Sequence, residues 1–119
     1  MTLPLNRERL RLAYDLLAEC PPFEGWNMPD SHDVKFTLMR SKDSRGWYLW
    51  HKKQKLHEIG ISVNCIGNLA ELVRVMAHEM IHLHERKTGA VSPHAMHNAA
   101  FIGWAKQVCE IHQFDFKLF

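Results

Sequence analysis

A chain of 119 residues suits a single domain, 1–119, able to bury about two thirds of its unfolded surface. With 46% hydrophobic and 24% charged residues it reads as an ordinary globular protein, so disordered and coiled-coil classes are excluded. A net charge of +2 demands no nucleic-acid partner, and no stretch approaches the roughly 18 apolar residues of a membrane span. Nine histidines are more than such a chain ordinarily needs, which favours a metal or proton-transfer role. Cys20, Cys65 and Cys109 contain no CxxC pair, so they build no zinc ribbon and read as free thiols of a reducing compartment. The N-terminus lacks the apolar run of a signal peptide, and a cytoplasmic protein is expected.

Asn6 can cap a first helix running to about Cys20, with Leu5 and Leu10 as a hydrophobic staple. Leu10, Ala13, Tyr14 and Leu17 give it a buried face, and Pro21-Pro22 end it. Arg7, Arg9 and Arg11 spread around this helix as solvated charge. Phe23 to Asp33 reads as loop.

Three strands follow. Val34, Phe36 and Leu38 alternate with polar residues, Trp47 to Trp50 is rich in aromatics, and Ile59, Ile61 and Val63 alternate again. The basic run Lys52, Lys53, Lys55 between the last two reads as a solvated hairpin tip. The other reading is a contact for phosphate or an acidic partner. If the third strand lies at the sheet edge, an extended peptide can pair with it.

That strand feeds into His78-Glu79-Met80-Ile81-His82, an HExxH pattern. On a helix, positions i and i+4 lie within about 40° of each other, so His78 and His82 can reach one metal ion. Zn²⁺ lowers the pKa of a water it holds to roughly 7, and Glu79 is placed to take that proton. Asn68 and Glu71 resemble a capping box and Gly89 a stop, so a helix from Leu69 is expected. Leu69, Leu72, Val73, Met76, Met80 and Leu83 form its apolar stripe, while the two histidines point away from it and Val75 and Ile81 flank them. His84 lies about 160° round from His82 and cannot share its metal.

A catalytic zinc site takes three protein ligands plus water. Glu85 and Thr88 stand where a metzincin has its glycine and third histidine, which excludes that class. Ser92 and Pro93 read as the start of a last helix running to about His112, with Phe101, Trp104, Val108 and Ile111 as its apolar face. His97 stands one turn before Phe101 on that face and is the expected third ligand. Glu110 is the runner-up, and His94 is an alternative ligand or a donor to the developing oxyanion.

His78-Glu79-Met80-Ile81-His82, then His97-Asn98-Ala99-Ala100-Phe101 and Trp104-Ala105-Lys106, resemble the SprT-like zinc metalloproteases, which include Spartan. Trp47-Tyr48 and Ile59-Gly60-Ile61-Ser62 resemble the strands preceding that family's motif helix. The resemblance spans roughly Val34 to Val108. It implies a minimal zincin-like α+β fold: an N-terminal helix, a small three-stranded sheet, the HExxH helix and a C-terminal ligand-bearing helix. It also implies ligands His78, His82 and His97 to Zn²⁺, Glu79 as general base, and hydrolysis of peptide bonds in a protein or peptide substrate. Spartan-type enzymes act on proteins held on DNA, so DNA is an open partner. Asn98 stands in place of the family's usual glycine, and Phe119 is reached without a cysteine-rich ribbon or added DNA-binding region. The rival expectation is a non-catalytic zinc-containing module that binds DNA or a protein through its lysines.

Overall fold

The computed structural model describes residues 3–89 and 97–119. Helix α1 spans Arg7–Ala18; strands β1, β2 and β3 span Val34–Met39, Gly46–His51 and Leu56–Ser62; helices α2 and α3 span Leu69–Thr88 and Ala99–His112. This is an α+β fold with the zincin-like layout of one small sheet, a motif helix and a following helix.

Asn6 caps α1 as expected, its side chain accepting from the Arg9 N–H. The helix stops at Ala18, before the prolines, and the expected loop from Phe23 to Asp33 contains two 3-10 turns, Phe23–Trp26 and Ser31–Asp33. Leu10, Tyr14 and Leu17 are buried, and the Tyr14 hydroxyl donates to the Pro29 carbonyl at 2.7 Å. That bond ties α1 to the chain leading into β1, where the Tyr14 ring meets Phe36 edge to face.

The sheet order is β1-β3-β2, with β1 parallel and β2 antiparallel to β3. The edge position on which peptide pairing with the third strand was conditioned is not met: β3 is central, and its residues from Glu58 to Ser62 are buried. Ile59 and Ile61 are fully buried on one face of this central strand. The antiparallel hairpin takes one side of β3 and the incoming β1 takes the other. Phe36 and Tyr48 both pair across Ile59, so one face of the sheet turns its apolar residues toward the helices.

On helix α2, Leu72, Met76, Met80 and Leu83 are all buried in the core. Two members of its expected stripe differ: Val73 is half-buried, and Leu69, in the first turn, is 66% exposed. Asn68 accepts from the Glu71 N–H, Glu71 reaches back to the Gly67 N–H, and Gly89 ends the helix at φ 80°. That left-handed turn is the conformation that favours glycine. No described helix is long and apolar enough to cross a membrane.

Helix α3 corrects another expectation. It begins at Ala99 with Asn98 as its cap, so the first turn expected from Ser92-Pro93 is not part of it, and those two residues and His94 lie outside the described residues. Phe101, Ala105, Val108 and Cys109 are its buried face, Trp104 is half-buried, and Ile111 is 42% exposed. Cys20, Cys65 and Cys109 are free thiols.

Candidate metal centre

His78 and His82 face the same way from adjacent turns of α2, their ring centroids 5.1 Å apart. His97 comes to them from outside any helix, one residue before the cap of α3, and is exposed. Its ring centroid lies 4.9 Å from that of His78 and 5.2 Å from that of His82. One ligand atom from each of the three lies within 4.8 Å of the others, a group that could hold a metal ion. Three nitrogens on a tetrahedral Zn²⁺ stand about 3.3 Å apart, given a bond of about 2.05 Å, so small ring rotations close the set. Glu110 is exposed and is not in this group. His84 is held elsewhere, stacked on Trp26 at 4.1 Å and edge-on to Trp104.

The chemistry of the donors suits a cation. Burial holds His78 and His82 down to about 4, helped by the neighbouring imidazoles, with the Phe119 backbone pulling His78 weakly the other way. Both rings are neutral near pH 7 and keep a lone pair to offer. The buried Nδ1 of His78 has no hydrogen-bond partner among the described residues, which is costly unless something else satisfies it. His82 Nδ1 lies 3.2 Å from Glu85 Oε1. With Nδ1–H donating to that carboxylate, Nε2 is left as the free donor atom.

Phe101 supports all three rings. It stacks on His97 at 4.1 Å and 10°, on His82 at 4.4 Å, and tilts against His78 at 5.1 Å. Sequence reasoning placed it only on an apolar helix face. Its position four residues after His97 is the signal that would have marked it as the support of the cluster.

Glu79 is 5% exposed, and burial pushes its carboxyl up to about 8. It shares with His78 a cleft of about 330 Å³ whose other walls include Gly46, Arg74, Val75, Leu118 and Phe119. A Cβ on Gly46 would fall 3.0 Å from the Gly60 carbonyl and from Val75 Cγ1, and 3.2 Å from Glu79 Oε2. The first residue of β2 must therefore be this small for the carboxylate to seat. Ile81, expected as a cleft wall, is wholly buried in the core instead. Gly46, Glu85 and the C-terminal Leu118 and Phe119 were not expected at the site, because nothing local in their sequence announces it.

Asn98 resolves the departure noted in the sequence. Its backbone sits at φ −78°, ψ 179°, so no glycine is needed, and its side chain accepts from the Phe101 N–H at 2.9 Å.

A small α+β core that gathers imidazoles beside a buried glutamate on an HExxH helix defines the metallopeptidase-like class. The chain belongs to the SprT-like family, whose sequence pattern matches residues 8–118. No curated protein and no solved structure matches the chain.

Proposed function

We propose that the protein is a zinc-dependent endopeptidase in which His78, His82 and His97 hold Zn²⁺ and Glu79 is the general base. The observation that carries this reading is the convergence of three imidazoles, one of which, His78, lines a cleft together with the buried Glu79 carboxyl, whose proton affinity burial has raised. When bound, Zn²⁺ supplies Lewis acidity, lowering the pKa of water and polarising the scissile carbonyl. Glu79 accepts the proton of the attacking water and passes it to the leaving amine. Val75, Leu118 and Phe119 shield that transfer from bulk water. Strand β2, at the sheet edge, carries Gly46 against Val75 and Glu79, so an extended substrate adds there as a further strand.

The substrate is a protein or peptide. In the rival reading, a non-catalytic module holds a partner or DNA through Lys52, Lys53 and Lys55. These are exposed at the hairpin tip, about 17 Å along β2 from Gly46 by strand rise. Glu79 favours the catalytic reading, because a purely structural zinc site takes four protein ligands and uses no base. Proteins associated with DNA remain within the substrate class, with the lysine tip as the contact.

Glu79→Gln tests the mechanism: metal content is retained while peptide cleavage falls by about 10²-fold or more. Undiminished cleavage by that variant would sink it. A companion measurement is chelator competition, in which His97→Ala loses zinc affinity far more than His94→Ala; equal or reversed losses would move the third ligand.

A further inference from the structure

We propose that Glu85 is a positioning residue for this site, clasping the two segments that carry its ligands. The proposal rests on the metal reading above. Glu85 sits three residues after His82 on α2, and its side chain is 5% exposed. Its Oε1 lies 3.2 Å from His82 Nδ1. The Asn98 side chain is near enough to lower the proton affinity of that carboxyl group, whose Oε2 is buried with no hydrogen-bond partner among the described residues. Asn98 is the residue after His97, and its own carbonyl oxygen caps α3 by accepting from Phe101 N–H. Phe101 in turn stacks on His97 and His82.

The connections close a loop. One carboxylate fixes the tautomer and rotation of His82, and through Asn98 it fixes where α3 begins and therefore where His97 hangs. His97 gains from that help: it precedes the helix and is exposed, and the ring contacts described for it are those with Phe101, His78 and His82. An asparagine at 98 serves the clasp in a way a glycine cannot, since glycine has no side chain to approach Glu85 or to cap α3. Carboxylates that accept from the distal nitrogen of a metal-bound histidine raise metal affinity by about 10–100-fold.

The test uses the full chain and Co²⁺ or Zn²⁺ alone, without substrate. Chelator competition and the visible Co²⁺ spectrum are measured for wild type, Glu85→Ala, Glu85→Gln, Asn98→Ala and the Glu85→Ala/Asn98→Ala pair. The expected result is one ion per chain throughout, with affinity about 10–100-fold weaker in Glu85→Ala. Glu85→Gln, whose amide oxygen still accepts from His82, recovers much of that loss. Asn98→Ala weakens binding less, and the pair loses less than the product of the single losses. Leu83→Val, a core change on the same helix, serves as control: it lowers Tm while affinity holds, separating positioning from stability. Affinity in Glu85→Ala within twofold of wild type, or affinity tracking Tm across the set including Leu83→Val, overturns the proposal and leaves the metal reading standing. A wild-type chain that binds no ion brings down the metal reading itself, and this proposal with it.

Discussion

Glu79 and the two histidines of its motif have proton affinities moved in opposite directions by the same burial. In the folded, metal-free chain Glu79 is pushed up to about 8 from 4.5. Between those values the folded state holds a proton that the unfolded state has released, so stability falls as pH rises. His78 and His82 are held down to about 4 from 6.5. Between those values the unfolded state binds protons that the folded state refuses, so stability rises with pH. Two histidines outweigh one glutamate up to pH 6.5, and above it only the glutamate acts. These three groups therefore place the stability maximum of the metal-free protein near pH 6.5, with a lower Tm at pH 4 and at pH 8. Thermal melts of Glu79→Gln should lose the decline between pH 6.5 and 8; a decline unchanged by the substitution would assign it to another group.

Among the elements, α3 and β2 each bring one contact that the motif helix cannot supply for itself. From α3 comes Phe101, 2% exposed beneath the three imidazoles. Phe101→Ala removes that support and a core ring together, at about 3–5 kcal/mol of stability, read as a lower denaturation midpoint. Phe101→Leu keeps most of the volume and should cost far less. From β2 comes the gap at Gly46. Gly46→Ala presses its methyl on the Gly60 carbonyl and Val75, neither of which can swing aside as a long side chain would, and it crowds Glu79. Turnover should drop about tenfold or more, while zinc affinity, which the proposed function assigns to His78, His82 and His97, stays within a few-fold. The expected ratio rests on displacement of the base by a fraction of an ångström, to which proton transfer is sensitive. A loss of zinc equal to the loss of turnover would mean that the whole site had collapsed.

The whole molecule holds these parts together through one core between the sheet and the helices, in which Leu10, Ile59, Met76 and Val108 from four elements are all fully buried. Leu10→Ala should destabilise by about 2–5 kcal/mol and weaken zinc binding only as far as the fold is lost, since Leu10 belongs to α1 and touches no ligand. The lysine tip lies outside this core. Neutralising Lys52, Lys53 and Lys55 should leave Tm and peptide turnover near wild type, and should weaken any salt-sensitive binding of single-stranded DNA. DNA binding unaffected by both salt and these substitutions would place that contact elsewhere.

The HExxH helix, its caps and the pairing of His78 with His82 were legible because they depend on residues three or four apart, where helical geometry alone dictates who meets whom. Asn6 was legible for the same reason, and the hairpin because two apolar runs flank a short polar turn. The apolar stripe of α2 was read one turn too far, because periodicity shows which face is apolar and not how far along the helix its packing partners reach, so Leu69 emerges into solvent. The place of β3 in the sheet was not legible, because strand order is decided by tertiary pairing and not by order along the chain. The sequence by itself thus determined the motif, its helix and the family pattern that names His97. Only the tertiary structure decided that His97 arrives from a non-helical residue, that Phe101 lies under all three rings, and that Glu85 lies near both His82 and Asn98. Those contacts span 3 to 23 positions along the chain, and most of them exist only because packing against a common core brings α3 back to α2.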